Sequence, residues 1–375
     1  MPGKARLRHT PFLSLLRFSL GIDVEFVPTL TPEEWQRVYV EAVRQSVVGV
    51  LYKGIERLPS AQWPPTELAM KWMGEAETIR TMNVIVNDEA RQTTRFFSEA
   101  GRQTAILKGP ANARLYPDPQ SRQVGDIDIW VEGGQERVLA LLKENGLLDT
   151  HYPLQYHHAR LLPSEHGVAV EAHYRPSSYG NGCVQDFLER ELRESPPTLC
   201  PEGFYVPSLR FALVMQLAHI RSHLLGGGVG LRQLTDYYLL LQNSTAEDRR
   251  DVAGRLKEMG LWHTAEALMW MLGQMFDLDG EHTFVSPHRW RGEWVMKQVT
   301  EKGNFGHHTD DYKIGTLRFF LRKRWRVVEQ IRFEPERSGA LLRSELRYWK
   351  NVFLRIPLRI KYRSLSLRFH PEIIN

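Results

Sequence analysis

The run Val124-Gly125-Asp126-Ile127-Asp128-Ile129-Trp130-Val131 constrains this chain more than any other stretch. Its alternation predicts a strand with Ile127, Ile129 and Val131 on one face and Asp126 and Asp128 on the other. Strands disfavour Asp, and two like charges on one face repel. Such a pair is tolerated where a strand runs out into solvent, or at the mouth of a cleft where a divalent cation sits between the carboxylates. An isolated Asp-x-Asp favours the first reading, so the neighbours have to decide.

With 375 residues, 42% of them hydrophobic, the chain has room for two or three domains with real cores. Two cysteines, Cys183 and Cys200, support neither a disulfide framework nor a cysteine metal cluster, as expected of a reducing compartment. The apolar stretch from Pro11 to Leu16 is interrupted by Arg17 and followed by no small-residue cleavage site. No apolar run approaches the ~20 residues of a membrane span. A cytoplasmic location is the expectation.

Thr31-Pro32-Glu33-Glu34 is a helix start, with Thr as cap, Pro in the first turn and Glu completing a capping box. Apolar residues at helical spacing predict one helix from there to about Arg57, and a second from Thr66 to Ala100 with Met70, Met73, Met82, Val84 and Ile85 inward. The texture changes at Gly101. Thr104 to Lys108 reads as a buried strand turning at Gly109-Pro110 into a helix over Ala111 to Tyr116. After the Asp-x-Asp strand come a helix over Gln135 to Asn145 and strands over Tyr156 to Leu162 and Val168 to Tyr174. The helical pattern then returns at Leu209–Leu225, from Gly230, and over Ala246–Gly260 and Leu261–Phe276. The expected architecture is α+β: a helical region over residues 1–100, a small mixed-sheet α/β domain over 101–205, and a helical region with a basic tail over 206–375.

In the last strand Glu171 and His173 share a face between apolar neighbours, and a lone Glu is almost never buried unpaired. If that strand lies beside the Asp-x-Asp strand, three carboxylates converge from residues 45 apart. Hard cations with oxygen ligands, Mg²⁺ above all, answer such a cluster, and two ions ~3.5–4 Å apart suit phosphoryl displacement. The Leu107-Lys108-Gly109-Pro110 turn adds a place where backbone approaches phosphate, while Lys108 and Arg122 would neutralise a triphosphate. No second glycine followed by Lys-Ser/Thr is present, which disfavours a P-loop enzyme.

Lys108-Gly109, Tyr116-Pro117-Asp118-Pro119, Arg122, Gly125-Asp-Ile-Asp-Ile-Trp-Val131 and Val170-Glu171-Ala-His173-Tyr174 together resemble the uncharacterised bacterial nucleotidyltransferase-like family. That family is a branch of the DNA-polymerase-beta-like nucleotidyltransferase superfamily. Gly230-Leu-Arg232-Gln-Leu-Thr-Asp236, preceded by His219 and His223, resembles its helical signature. The resemblance implies a nucleoside triphosphate substrate, ATP among the candidates, bound with two Mg²⁺ ions, and nucleotidyl transfer to a hydroxyl of a small molecule, sugar or protein. It implies Asp126, Asp128 and Glu171 as catalytic metal ligands, and Lys108, Gly109, Arg122 and Gly125 as nucleotide-binding residues. The superfamily's Gly-Gly or Gly-Ser is here Gly109-Pro110, and the proline removes one amide from the phosphate turn.

His173, His219, His223, Arg232 and Asp236 are expected behind the metal ligands or on the acceptor side. Arg232 and Asp236, four residues apart, also fit an ion pair. Zinc on His157, His158 and His173 is disfavoured, because adjacent strand residues face opposite ways. His219 and His223 have protease spacing without the Glu general base. From Arg318 to Arg368 there are 15 Lys and Arg against 4 Glu. Residues 318–368 would therefore suit nucleic acid, an anionic membrane surface, or plain solvated helices. Transfer to an RNA end along this track, or a non-catalytic nucleotide-binding scaffold, are the alternative functions.

Overall fold

The computed structural model describes residues 10–26, 28–177, 182–226, 228–302, 325, 327–339, 342–343, 346–347 and 350. The chain divides into two units, residues 1–307 and 308–375. The changes of texture near residues 100 and 205 fall inside the first unit, which holds the sheet and helices from both sides of it. In the second unit, residues 327–333 are helical and Pro335–Arg337 form a 3-10 turn. Most of the basic segment 318–368 lies outside the described residues. Among the described residues no helix is long and apolar enough to cross a membrane.

The first helix, α1 (Pro11–Ser19), is the apolar N-terminal stretch, and it is core. Arg17, which interrupts it, donates to Asp23 and Asp277 and to the Met275 carbonyl, fastening the N-terminal stretch to the end of a helix 258 residues away. The single helix expected from Thr31 to Arg57 is two, α2 (Pro32–Gln45) and α3 (Val48–Glu56). Ser46 takes left-handed backbone, φ 57°, and ends α2. The break leaves the Gln45 side chain buried, where it accepts from the Leu231 amide and donates to the Val299 carbonyl.

The expected capping box of Thr31 and Glu34 starts α2, and the long helix α4 (Thr66–Glu99) also forms as expected. Its inward face differs from the expected one. Met70, Met73 and Val84 face solvent, while Trp72, Ile79, Asn83, Val86, Ala90 and Phe97 are buried. Asn83 uses its Nδ2 on the carbonyls of Ile79, Gln120 and Arg122, at 3.0, 2.8 and 2.8 Å. This buried polar residue secures the turn that leads into the Asp-x-Asp strand.

That turn follows β1 (Thr104–Ile106) and a single helical turn, α5 (Pro110–Ala113), shorter than the helix expected to Tyr116. Then come β2 (Ile127–Val131), α6 (Gly134–Glu144), β3 (His158–Arg160) and β4 (Val170–His173). The four strands form one sheet in the order β1-β2-β4-β3, with β2 and β4 parallel and the outer pairs antiparallel. Ile127, Ile129, Val131, Val170 and Ala172 turn one face onto Val86 and Phe97 of α4 and Val138 and Leu142 of α6. At ~1.5–3 kcal/mol per buried large apolar side chain, this face fixes the strand register. Beyond the sheet lie α7 (Gly182–Glu194), a small hairpin β5 (Thr198–Leu199) with β6 (Tyr205–Val206), then α8 (Leu209–Gly226), α9 (Leu231–Asn243), α10 (Ala246–Arg255), α11 (Trp262–Met275) and α12 (Arg289–Lys302). The architecture is α+β, with a small mixed sheet flanked by helices.

Helix α3 comes so close to the loop before β2 that a Cβ on Gly49 would lie 2.4 Å from the Ser121 carbonyl oxygen. Gly49→Ala is therefore expected to cost about 1–3 kcal/mol through backbone displacement, measured by urea unfolding. An unchanged midpoint would refute that contact.

Candidate active site

Register builds the site. In the parallel pair Asp128 stands opposite Glu171, and Trp130 opposite His173; across the next pair Glu171 meets Arg160 and His173 meets His158. The face opposite the apolar core therefore carries two rows, Asp128–Glu171–Arg160 and Trp130–His173–His158. Asp126 stands just before β2, and its side chain is 42% exposed against 3% for Asp128. One carboxylate forms the floor and the other the open mouth.

The charges are balanced locally. Lys108 Nζ lies 3.0 Å from Asp128 Oδ2 and 3.8 Å from Asp126 Oδ1. His173 Nε2 lies 3.0 Å from Asp128 Oδ1 and 3.6 Å from Glu171 Oε2. Burial would raise the Asp128 pKa, but Lys108 and His173 outweigh it and hold the carboxyl below its ordinary value. Asp126 is pushed up, first by the Asp128 charge and then by burial. Burial opposes the charge on Lys108, and the aspartates overcome it. For Glu171 burial is opposed by hydrogen bonding to His173, with a net lowering. For His173 burial is overcome by Asp128 and Glu171, which raise it to about 9.

The turn between β1 and α5 needs its glycine. Gly109 has φ 61° and ψ −109°, and a Cβ there would stand 3.2 Å from the Asp126 carbonyl oxygen. With α5 only four residues long, little helix dipole backs this turn. A cavity of about 30 Å³ opens beside it, lined among others by Lys108, Gly109, Asp126, Gln216, His219 and Arg232. His219 and His223 on α8 meet edge to face with ring centroids 4.3 Å apart, and burial pushes both pKa values down, His223 to about 4.

Arg122 is buried and forks onto Asp236, Nε to Oδ1 at 2.8 Å and Nη2 to Oδ2 at 2.7 Å. Tyr116 donates to the same Oδ1 at 2.7 Å. Burial alone would lower the Arg122 pKa, and Asp236 raises it above its ordinary value. The guanidinium expected on a phosphate is thus clamped to α9. Arg232 Nη1 donates to the Gln123 and Val124 carbonyls at 3.2 and 3.0 Å, behind the exposed Gly125. Burial first, then the Arg122 charge, lower Arg232 to about 10. Gln216 and Asn83 carry no local signature in the sequence, being lone polar residues on apolar helix faces, and the Tyr116-Pro117-Asp118-Pro119 motif does not itself disclose the partner of the Tyr116 hydroxyl. The histidines differ from the expected geometry. Strand β3 begins at His158, so alternation does not apply to His157, and the rings of His157 and His158 are 4.4 Å apart.

A carboxylate cluster of this kind fits hard divalent cations. Asp128 Oδ2 is buried, and despite its closeness to Lys108 it has no partner in hydrogen-bond geometry among the described residues. The raised Asp126 pKa marks a repulsion that a dication would relieve. Asp128, Glu171 and His173 also bring three donor atoms within 4.8 Å of one another.

Removing Asp236 would leave Arg122 charged and buried, so Asp236→Ala is expected to cost about 3–5 kcal/mol in urea unfolding. Because the His173 pKa rises from 6.5 to about 9 on folding, its stabilisation is complete below pH 6.5 and lost as pH rises through about 9. Chelator-treated protein should show a Tm advantage over His173→Gln that fades across that window. A pH-independent difference would contradict the Asp128–His173 pairing.

No curated protein matches the chain. Among solved structures it is similar to an antigenic nucleotidyltransferase-like protein from Paracoccidioides brasiliensis, with 14% identity, a TM-score of 0.31, and coverage of 58% of this chain and 98% of that one. Residues 31–277 match the family described as uncharacterised nucleotidyltransferase. That match spans both the sheet and the helix that carries Arg232 and Asp236, and on it the chain belongs to the uncharacterised nucleotidyltransferase family.

Proposed function

We propose that this protein is a Mg²⁺-dependent nucleotidyltransferase that moves a nucleoside monophosphate from a nucleoside triphosphate to a hydroxyl of a small molecule, sugar or protein. The observation that carries the reading is the parallel register that sets Asp128 beside Glu171, with Asp126 at the mouth of the same face. Asp126 and Asp128 would hold two ions and Glu171 one of them. Bound there, the ions would supply charge neutralisation at the α-phosphate and at the leaving pyrophosphate.

The chain's own groups account for the rest. His173 and Lys108 hold Asp128 ionised and oriented, and Lys108 has a charge to turn toward phosphate once cations take over the aspartates. Arg232, beside Gly125, supports the loop that carries Asp126. Arg122 acts through Asp236 to hold that loop rather than by touching nucleotide. The small cavity has room for a water or two, so the nucleotide lies on the open side of Asp126.

With labelled nucleoside triphosphates and a panel of hydroxyl acceptors, Mg²⁺-dependent transfer is expected and should vanish in Asp126→Asn with Asp128→Asn. Transfer that survives the double substitution would eliminate this mechanism. Nucleotide binding without transfer to any acceptor would favour a nucleotide-binding scaffold.

A further inference from the structure

Arg160 stands outside the charge balance of the site. It lies on β3 opposite Glu171, so its stem rises from the same face as Asp128 and Glu171. Lys108 is shared between the two aspartates, and Arg122 is forked onto Asp236. Glu171, the cross-strand neighbour of Arg160, turns its Oε2 to His158 and His173 instead. Among the described residues no carboxylate is in ion-pair contact with the Arg160 guanidinium, and its Nε is buried with no hydrogen-bond partner.

The guanidinium is held in place by a ring. Its Cζ lies 5.1 Å from the centroid of Tyr152, and that ring also stacks on His158, at 24° with centroids 6.3 Å apart. The loop carrying Tyr152 is pinned to β3 at both ends. The Asp149 amide donates to the Arg160 carbonyl, and the Gln155 amide donates to the His158 carbonyl. Packing on an aromatic ring orients a guanidinium while its N–H groups stay available to a ligand. A half-buried arginine with an unpartnered donor, fixed by a ring and not by an acid, suits an oxyanion.

The strand order bears on where that oxyanion comes from. In β1-β2-β4-β3, Lys108 and Gly109 follow β1 on one side of β2, and Arg160 lies on the other side, two strand spacings or about 10 Å from β2. In nucleotidyl transfer the acceptor oxygen bonds to the α-phosphorus in line with the departing pyrophosphate. The bond to pyrophosphate breaks, its electron pair leaves with that group, and the hydroxyl proton passes to solvent. With pyrophosphate toward the Lys108-Gly109 turn, the acceptor enters across Glu171, from the β3 side. We infer that Arg160, steadied by Tyr152, binds an anionic group on the acceptor, so that the acceptor is a small hydroxyl compound carrying a phosphate or a carboxylate. The assignment to the acceptor rests on the transferase reading, whereas the oxyanion subsite does not.

Full-length protein treated with the arginine reagent phenylglyoxal, with the adduct at Arg160 followed by mass spectrometry, tests the subsite. Inorganic phosphate, together with glucose 6-phosphate or glucuronate, is expected to slow modification of Arg160, and glucose is not. The phosphorylated and carboxylated sugars show which anion the subsite takes. A non-hydrolysable nucleoside triphosphate with Mg²⁺ should leave Arg160 reactive. In the transfer assay Arg160→Gln should raise the acceptor KM about 10-fold or more with the nucleotide KM unchanged. Arg160→Lys keeps the charge, loses the fork and should recover part of that loss; circular dichroism checks that both variants fold. Modification indifferent to every anion would overturn the subsite, and protection by the triphosphate would overturn its assignment to the acceptor. Protection by the anions with no transfer to any acceptor would keep the subsite and refute the transferase reading.

Discussion

The parallel pairing of β2 with β4 is the constraint on which the rest of the site depends. It sets the carboxylates of Asp128 and Glu171 side by side on a buried face, an arrangement that like-charge repulsion opposes. The sheet tolerates it because the opposite face buries Ile127, Ile129, Val170 and Ala172, which permits no slip of register. Lys108 from the preceding turn and His173 from β4 itself then supply the positive charge. Core packing thus enforces an electrostatic problem that two cations of the chain contain.

A second clamp holds the approach to this floor. Arg122, Asp236 and Tyr116 form a dry, charge-assisted network between the loop before β2 and helix α9. Buried ion pairs of this kind contribute little net stability against an apolar replacement, and their worth lies in geometry. Here the geometry concerns Gly125 and Asp126, which lie three and four residues after Arg122 and are backed by Arg232 through the Gln123 and Val124 carbonyls. Asn83 adds a neutral version of the same device from α4. The helices before and after the sheet both act on one loop, and this explains why the texture changes near residues 100 and 205 do not divide the first unit.

Local periodicity was a good guide wherever one physical rule dominated. The α4 boundaries, the capping box at Thr31, and the core faces of β2 and β4 follow from helical spacing, cap chemistry and strand alternation. The prediction failed where neighbouring structure overrides pattern. The methionines of α4 fit an apolar stripe as well as Trp72 and Phe97 do, and only the packing of α2, α3 and the sheet selects between them. The α2–α3 break rests on one left-handed Ser46, a conformation no glycine announced. The pattern makes His157 and His158 strand neighbours, whereas β3 begins at His158 and alternation has no hold on His157.

The sequence by itself determined that Asp128 and Glu171 lie on strand faces opposite the apolar ones, with Asp126 just before the first strand, because a period of two fixes which side chains share a face within one strand. It also determined that a Lys-Gly turn precedes them. Only the tertiary structure decided that Asp128 and Glu171 are in register on adjacent strands, that Arg122 belongs to Asp236, and that His158 of β3 reaches Glu171 of β4. Each of these is a contact between segments far apart in the chain. Such pairings are selected by the packing of the whole core, and no local spacing encodes them.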